Sequence, residues 1–404
     1  VGGRVEGARA VRIDSTANPF GEQNSPSRSH SGPGVNGGEA GDPPAIVLSA
    51  VNKTYENAAG KFVALKGIDL QFDYGRFVSI VGKSGCGKST LLNMITGIDH
   101  PTSGRVIVGG EDIYKKTESQ RAAWRGRNMG VVFQFFQLLP TLTLLENTML
   151  PMDYTQTYAF RERPERAMEI LKMVGLEEQA HKLPANVSSG QQQSAAIARA
   201  LATNPPIILA DEPTGNLDSR SAGVVLDLFE KLAAEGKTIL IVTHDPSLTR
   251  RTDQTVILSD GEVIDDTVAR ALPFLDHPQM LAASHQAQKL VYPPGSTVIH
   301  QGAQVDYFYM VTRGAVEVVV NSKIPETTVA RLGRGQFFGE VSLTKGVDSI
   351  AGVRATAEGP AEVTMISREA FLALLHNAPE MAEALNKVAQ LRLDETRVLL
   401  EGVR

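Results

Sequence analysis

Residues 82–90 read Gly-Lys-Ser-Gly-Cys-Gly-Lys-Ser-Thr and directly follow the apolar run Phe77–Val81. A strand, a glycine-rich loop of this spacing and a following helix form a phosphate-binding loop. The glycines let backbone N–H groups turn toward phosphates, and the helix N-terminus adds positive potential. Lys88 would reach the β- and γ-phosphates, and the Ser89 hydroxyl would ligate Mg²⁺. We therefore predict a nucleotide site formed by Gly82, Ser84, Gly85, Cys86, Gly87, Lys88, Ser89 and Thr90.

The overall composition predicts two domains in a reducing compartment. The chain has 404 residues, 42% of them hydrophobic, whereas single cores seldom grow past roughly 250–300 residues. Its net charge is -5 with both signs interspersed, which gives no indication of a nucleic-acid-binding surface. Cys86 is the only cysteine, so no internal disulfide can form, and we expect a cytosolic protein. No apolar run reaches the ~18 residues of a membrane span, so any membrane association should come through a partner.

The pattern along the chain predicts four segments. Residues 1–44 are rich in Gly, Ser, Pro and Asn without periodicity, which predicts a disordered tail. In residues 45–266 short apolar strands alternate with helical stretches, as in an α/β domain with a largely parallel sheet. Residues 267–290 are typical of a helical connector. Residues 291–404 contain short alternating strands with regular glycines, which predicts a small antiparallel β-roll followed by helices.

The predicted closing helix, Pro379–Leu400, carries one apolar stripe. Its members recur at helical spacing and are Met381, Leu385, Val388, Leu391 and Val398. Packing on the roll and packing on a second subunit both fit this stripe.

The apolar run Ile207–Ala210 ends in two carboxylates, Asp211 and Glu212. A buried strand would fix Asp211 beside a metal and leave Glu212 facing the γ-phosphate. Asp211 would then hold Mg²⁺ through its water shell, and Glu212 would orient and deprotonate the attacking water. Taken alone, two acids at a strand end are also typical of solvated loop residues.

Four further motifs make residues 46–266 resemble an ATP-binding cassette (ABC) domain. Val132-Phe133-Gln134 is similar to that family's glutamine loop, and Val187-Ser188-Ser189-Gly190-Gln191-Gln192-Gln193-Ser194 is similar to its signature. Pro213-Thr214-Gly215-Asn216-Leu217-Asp218 is similar to its D-loop, and Thr243-His244-Asp245 is similar to its switch histidine. The resemblance implies a P-loop ATPase that uses ATP and Mg²⁺.

The resemblance also implies roles for single residues. Tyr55 would stack on adenine through its flat apolar face, although an exposed loop tyrosine is the alternative. Gln134 would contact Mg²⁺ and the attacking water. His244 would hydrogen-bond the γ-phosphate, although a single histidine at a strand end is often only a satisfied polar residue.

In this family two cassettes pair head to tail, so the resemblance implies a homodimer with composite sites. Ser188, Gly190 and Gln191 of one chain would close over ATP bound to the other, and Asp218 would link the two sites. The signature departs from the family pattern at three positions: Val187 replaces a leucine, Ser189 a glycine and Ser194 an arginine. If position 189 needs a positive φ or a close backbone approach, serine there costs of order 1 kcal/mol, which predicts a competent but slow ATPase.

The stretch Phe135–Met152 resembles cassette subunits of the macrolide-export and lipoprotein-release type. Such subunits work with a separate integral-membrane permease, which implies a peripheral subunit on the inner face of the cell membrane. The stretch is apolar and would accept a helix of the permease; it would also serve as the core of a helical subdomain. Both roles are compatible.

Residues 272–400 resemble a cyclic nucleotide-binding domain, through the segments 292–299, 314–318 and 335–340. Glu340 would supply the acid for a ribose hydroxyl. The family's phosphate-binding arginine is replaced by Ser349, the usual preceding proline by Asp348, and Arg354 lies farther along. Loss of a charge-assisted contact typically removes orders of magnitude in affinity. The substitution argues against cyclic AMP or GMP binding and favours a roll used for contacts or dimerisation.

Two functions remain in competition. The first is the ATP-hydrolysing subunit of a membrane transporter, engaged in export or envelope-directed work, with a regulatory or dimerisation roll. The second is a cyclic-nucleotide-responsive sensor whose cassette mainly dimerises. Lys88, Glu212 and His244 are all present, which favours the first.

Overall fold

The computed structural model describes residues 43–58, 60–320 and 327–401. Within them the chain divides into two compact units, with the boundary between Ile264 and Asp265. Residues 1–42, which make up nearly all of the predicted disordered tail, lie outside the described residues. None of the helices in the described ranges combines the length and apolar character needed to cross a membrane.

The first unit contains ten strands and six α-helices within the described residues. In chain order these are β1 (Ile46–Asn57), β2 (Gly60–Phe72), β3 (Phe77–Val81), α1 (Lys88–Thr96), β4 (Ser103–Val108), β5 (Glu111–Asp112), α2 (Glu118–Asn128), β6 (Met129–Val132), α3 (Leu144–Thr155), α4 (Arg163–Met173), α5 (Ser189–Leu201), β7 (Ile207–Asp211), α6 (Ser219–Ala234), β8 (Thr238–Thr243), β9 (Gln254–Ser259) and β10 (Glu262–Val263). Short 3₁₀ turns lie at Ile113–Lys115, Glu177–Gln179, Pro184–Asn186 and Pro246–Arg250.

A six-stranded sheet in the order β10-β9-β3-β8-β7-β6 forms the centre of this unit. Its pairings are parallel except for the edge strand β10. Every residue of β3, β7 and β8 is buried, as expected for strands whose sheet is covered on both faces. The predicted α/β fold with a largely parallel sheet is confirmed.

A second sheet of this unit was not predicted. It is antiparallel, with the order β2-β1-β4-β5. The long strands β1 and β2 pair from Ile46–Phe72 to Asn57–Gly60. Their buried apolar residues pack in the same core as those of β3 and α1. This sheet therefore braces the helix that follows the glycine-rich loop.

The second unit contains eight strands and five helices within the described residues. They are α7 (Asp266–Ala271), α8 (His277–Gln286), β11 (Gln288–Tyr292), β12 (Thr297–Ile299), β13 (Tyr307–Arg313), β14 (Val316–Val320), β15 (Thr327–Leu332), β16 (Phe337–Phe338), α9 (Glu340–Lys345), β17 (Gly352–Ala355), β18 (Ala361–Ser367), α10 (Arg368–Asn377) and α11 (Pro379–Glu401). The strands form two four-stranded antiparallel sheets, β11-β18-β13-β16 and β12-β17-β14-β15. The predicted antiparallel β-roll with closing helices is confirmed.

The apolar stripe on α11 divides into a buried and an exposed part. Met381, Leu385 and Val388 are buried, so this part of the stripe packs within the chain. Leu391 and Val398 are 62% and 68% exposed. Packing within the chain thus accounts for the first three residues of the stripe but not for the last two.

Candidate functional site

The ends of four neighbouring strands place the predicted catalytic segments along one edge of the sheet. Gly82 directly follows β3, His244 follows β8, and Glu212 follows β7, while Gln134 comes two residues after β6. These strands are adjacent in the order β3-β8-β7-β6 and run parallel. Ligands of open α/β sheets bind outside the carboxyl ends of the strands. The fold thus brings these four segments to the usual position of a ligand site.

Glycine is required at two positions of the phosphate loop. A Cβ at Gly82 would lie 2.3 Å from the carbonyl oxygen of Leu258, and one at Gly87 would lie 2.5 Å from that of Ala64. Gly87 also has a φ of 105° and forms the N-cap of α1, a conformation that side-chain-bearing residues rarely adopt. The loop is therefore pressed against β2 and β9, and its backbone path is fixed by the fold.

The phosphate loop surrounds a buried lysine. The Nζ of Lys88 donates to the carbonyl oxygens of Gly82 at 2.7 Å and Lys83 at 3.1 Å. α1 begins at Lys88, so its positive N-terminal end points into the same loop. This arrangement concentrates positive charge and N–H donors where the sequence predicted phosphate binding.

The remaining residues of the loop differ in exposure. Ser84, Gly85 and Ser89 are exposed, Thr90 is half-buried, and Cys86 is buried. Burial is the main cause of a raised pKa at the Cys86 thiol, so the thiol stays protonated and unreactive. Cys86 therefore serves the loop through its backbone, whose carbonyl accepts a hydrogen bond from the N–H of Gly261.

Asp211 combines burial with an unsatisfied oxygen. Its Oδ1 is buried and has no hydrogen-bond partner, and the nearby Ser89 side chain partly offsets the effect of burial on the pKa of this carboxyl group. Burial, with a smaller contribution from the charge of Glu212, raises the pKa of Asp211. An unpaired carboxylate oxygen beside a hydroxyl is the donor set that Mg²⁺ prefers, so Asp211 and Ser89 fit the predicted metal site.

Glu212 and His244 meet at the edge of the sheet. The Nδ1 of His244 lies 2.9 Å from Oε2 of Glu212, whose side chain is 13% exposed, against 69% for the histidine. Glu212 has a φ of 48°, an uncommon conformation for a non-glycine residue. Its N–H donates to the carbonyl of Val242 at 2.9 Å. The backbone thus holds a carboxylate next to an imidazole, a pairing suited to general-base chemistry.

Gln134 lies in an exposed turn at the same edge. Its carbonyl accepts a hydrogen bond from the side chain of Asn216 at 3.4 Å. Two and three residues later, Phe136 and Gln137 have φ values of 45° and 52°. Their carbonyls accept hydrogen bonds from the guanidinium of Arg199 on α5. The predicted glutamine loop is therefore held by α5.

Arg199 was missed by sequence reasoning. It is a single cation in the apolar run Ala195–Leu201 of α5, and a cation in a buried helix needs a partner. That signal was available, but the partner, more than sixty residues earlier, could not be read from the sequence. Burial lowers the pKa of the Arg199 guanidinium, which still remains charged at neutral pH.

Tyr55 stands beside the phosphate loop on β1. Its hydroxyl donates to Oδ2 of Asp99 at 2.9 Å, and the Thr90 side chain lies close enough to affect the pKa of that hydroxyl. Lys53 pairs with Asp99 at 2.7 Å and lies 4.7 Å from the centre of the tyrosine ring. The ring is 38% exposed. These contacts orient an accessible aromatic ring next to α1, as adenine stacking requires.

The signature residues form the start of α5. Ser188 caps the helix: its hydroxyl accepts from the N–H of Gln191 at 3.2 Å, and the Gln191 side chain accepts from the N–H of Ser188 at 3.1 Å. Ser189 is the first helical residue and is not among the residues with positive φ. Position 189 therefore does not need a positive φ, because a helical φ suits any L-residue, and the slow turnover stays a prediction.

The structure does not bring the signature residues to the phosphate loop of the same chain. Among the described residues, no hydrogen bond or ion pair joins 188–191 to 82–90. A Cβ at Gly190 would lie 3.4 Å from the side chain of Leu217, so the signature instead neighbours the D-loop. Asp218 of that loop caps α6, accepting from the N–H groups of Arg220 and Ser221 at 3.0 Å each.

In the second unit, the acid of the predicted pocket, Glu340, is paired with an arginine of the same unit. Glu340 is 1% exposed, and the guanidinium of Arg392 on α11 donates to its Oε1 at 2.7 Å. Ser349 donates its hydroxyl to the carbonyl of Ala351 at 2.7 Å. Arg354 lies 3.2 Å from Glu317, in line with the expectation that it does not replace the missing arginine.

Comparison with known families matches both units. A family model described as ABC transporter matches residues 65–215, and one described as cyclic nucleotide-binding domain matches residues 289–378. The uncharacterized ABC transporter ATP-binding protein YvrO of Bacillus subtilis (strain 168) is 44% identical over 221 residues, which cover 55% of this chain and 96% of YvrO. The lipoprotein-releasing system ATP-binding protein LolD of Anaeromyxobacter dehalogenans (strain 2CP-C) is 46% identical over 226 residues, covering 55% of this chain and 94% of LolD.

Solved structures agree with these matches. The dimeric structure of MJ0796, a bacterial ABC transporter cassette, is 45% identical with a TM-score of 0.53, covering 55% of this chain and 97% of that one. A dimeric post-hydrolysis state of MJ0796 bound to ADP and Pi is 44% identical over the same shares, with a TM-score of 0.53. The chain therefore belongs to the ATP-binding proteins of ABC transporters, which are ATPases, and it carries a cyclic nucleotide-binding domain as its second unit.

Proposed function

We propose that this chain hydrolyses ATP as one half of a cassette dimer and thereby drives a separate membrane permease. The observation that carries the proposal is the contact of Glu212 with His244, at the sheet edge that also holds Lys88 and Asp211. Charged and catalytic side chains gathered at the carboxyl ends of parallel strands suit phosphoryl transfer, which depends on positioning and charge stabilisation.

Each residue at this edge has a role that its chemistry supports. The N–H groups of the loop and Lys88 bind the β- and γ-phosphates. Ser89, Asp211 and Gln134 hold Mg²⁺, which, when bound, neutralises charge on the transferred phosphoryl group. Glu212 accepts a proton from the attacking water, and His244 exchanges its contact with this carboxylate for a hydrogen bond donated to the γ-phosphate when ATP binds.

The second half of the site comes from another copy of the chain. Ser188 is exposed and Gly190 half-exposed, and both lie at the positive N-terminal end of α5, which favours an anionic ligand. MJ0796 has been solved as a dimer, which supports the same arrangement here. Asp218 lies at the neighbouring D-loop and would face the other copy.

The permease surface is built from exposed apolar side chains in the residues that follow Gln134 in the sequence, between 135 and 160. Phe135 is 78% exposed and Leu139 is 46% exposed, with Tyr154 and Phe160 at 67% and 74%. Leu144 and Met152, by contrast, are fully buried. The stretch 135–152 therefore supports both roles considered from the sequence: its helix builds the subdomain core, and its leading loop offers a contact surface. Similarity to LolD supports envelope-directed work, at the inner face of the membrane.

ATP hydrolysis is tested by phosphate release from the purified chain and from its Glu212→Gln variant. The wild type should release phosphate. The variant should still bind ATP, but its rate of phosphate release should be lower by about two orders of magnitude or more. Equal rates in the two proteins would remove the assigned role of Glu212.

Permease coupling is tested by co-purification from detergent-solubilised membranes of the native host. Phe135→Ser should reduce recovery of an integral-membrane partner. Phe62→Ser is the matched control, because Phe62 is also exposed, at 59%, but lies on β2. Equal recovery with both variants would contradict the proposed surface, and absence of any membrane partner from the wild type would contradict the coupling itself.

A further inference from the structure

The second unit contains a cavity of about 350 Å³ between the β-roll, α9 and α11. Apolar side chains form most of its wall, among them Ile299, Val318, Leu332, Phe338, Val353 and Val388. Ligand pockets commonly span roughly 300–1,000 Å³ and are lined mainly by apolar groups. The cavity therefore has the size and surface of a small-molecule site.

Most polar groups of the wall already have partners within the unit. Gln336 accepts from the N–H of Gly333 at 2.7 Å, and the Thr396 hydroxyl donates to the carbonyl of Arg392 at 2.8 Å. The hydroxyl of Ser349, at the position of the family's arginine, donates to Ala351. These bonds use the donor hydrogens of both hydroxyls, so a ligand can gain hydrogen bonds only from their remaining lone pairs and from the Gln336 side-chain amide, which favours a ligand with few polar groups.

The charges of the wall oppose an anionic ligand. Among the described residues lining the cavity, the charged ones are Glu340, Glu395 and Arg392, which sum to one negative charge. The cation is already paired with Glu340 at 2.7 Å. It also donates to the carbonyl of Phe337 at 2.9 Å and lies over that ring, 4.9 Å from its centre. A cyclic phosphate is negatively charged, as is the cavity wall, and the cation among the described wall residues is already paired with Glu340.

We propose that this cavity binds an uncharged, largely apolar small molecule in place of a cyclic nucleotide. Apolar contact with the strand side chains supplies the affinity, and the Glu340–Arg392 pair stays intact at the wall. The site is distinct from the ATP site, and the inference does not rest on permease coupling or on hydrolysis.

The test compares two fluorescent probes that share one aromatic skeleton. N-phenyl-1-naphthylamine is uncharged, whereas 8-anilinonaphthalene-1-sulfonate adds a single negative charge. Titrated into the full chain, the uncharged probe should bind at least about tenfold more tightly than the sulfonate, because the sulfonate charge would have no cation partner among the described residues of the cavity wall. Cyclic AMP and cyclic GMP should fail to displace it. Tighter binding of the sulfonate, or displacement by either nucleotide, would overturn the proposal, as would absence of binding by the uncharged probe.

Two variants locate the probe. Val318→Trp fills the cavity from β14 and should weaken binding of N-phenyl-1-naphthylamine by about tenfold. Val398→Trp makes the same change at an exposed position of α11 outside the cavity wall and should leave binding unchanged. Equal binding by both variants would place the probe elsewhere and refute the assignment.

Ser349→Arg provides a test that does not depend on filling the cavity. It adds a positive charge to the wall at the position of the missing arginine. The preference for the uncharged probe over the sulfonate should fall by about tenfold, because the added cation pairs with the sulfonate. An unchanged preference would show that wall charge does not select the ligand.

Discussion

The imidazole Nδ1 of His244 lies 2.9 Å from a carboxylate oxygen of Glu212, although the two residues follow different strands. Because they are in contact, their contributions to hydrolysis should not be additive. Glu212→Gln should lower kcat by about 10²-fold or more, and His244→Ala by about 10-fold or more. The double variant should be little slower than Glu212→Gln alone. Steady-state phosphate release from the four proteins gives the interaction term.

His181→Ala serves as the control for this cycle, since His181 is exposed and lies between α4 and α5. It should leave kcat unchanged. Strictly additive effects of the Glu212 and His244 substitutions would contradict a shared role and would leave the 2.9 Å contact without catalytic consequence.

Asp211 should make the nucleotide-free protein less stable as the pH rises. Burial raises its pKa above the ordinary value of 3.8, so the folded state disfavours the charged form. The penalty is absent below the unfolded-state pKa and complete above the folded-state pKa. Asp211→Asn should therefore raise the melting temperature at pH 7.5, with a gain that disappears as the pH falls toward 3.8. Thermal unfolding across this pH range measures the effect.

Asp73→Asn is the matched control, because Asp73 is exposed and its substitution should leave the melting temperature unchanged. The same Asp211→Asn protein should lose affinity for Mg²⁺, by about 10- to 100-fold in the Mg²⁺ dependence of ATP hydrolysis. A melting temperature of Asp211→Asn below that of the wild type at pH 7.5 would indicate that the carboxylate stabilises the protein, and would contradict the expected penalty for its charge.

The sequence best predicted the positions of the catalytic side chains that end or directly follow a buried strand. Asp211, Glu212 and His244 each end or follow an apolar run, and parallel strands expose their carboxyl ends at one edge, so their proximity could be foreseen. The residues missed are held by long-range contacts. Arg199 bonds backbone 62 and 63 residues earlier, and Arg392 reaches Glu340 across 52 residues.

The positive φ considered for position 189 does not occur, because Ser189 is the first residue of α5, after the cap formed by Ser188 and Gln191. A motif alone does not reveal this local structure. The antiparallel sheet of β1, β2, β4 and β5 was also missed, since register between strands far apart in sequence is set by packing. The predicted segment boundaries, including the connector at 267–290, remain predictions.

Arg199 should hold the loop after Gln134 through the planar geometry of its guanidinium. It donates from two nitrogens to the carbonyls of consecutive residues, Phe136 and Gln137, both in the left-handed conformation. Lysine keeps the charge but cannot form this fork. Arg199→Lys should lower the free energy of unfolding by about 2 kcal/mol, the worth of a charged hydrogen bond. It should also speed hydrogen exchange in residues 135–139.

Arg127→Lys controls for the substitution itself, because Arg127 is exposed near the end of α2. Urea unfolding should not distinguish it from the wild type. If Arg199→Lys exchanged hydrogen at the wild-type rate in residues 135–139, the guanidinium fork would not be what orders this loop.

Removing only one partner of the Arg392–Glu340 pair should cost more stability than removing both partners. Glu340 is 2% exposed and Arg392 26% exposed as side chains, so Arg392→Met leaves a buried carboxylate without its cation. Breaking such a pair costs up to about 3 kcal/mol, and hydrogen exchange in α9 should accelerate accordingly. The double variant Glu340→Gln, Arg392→Met removes both charges and should recover most of the loss. Equal exchange in the single and double variants would mean that the pair contributes only through the packing of the Arg392 stem.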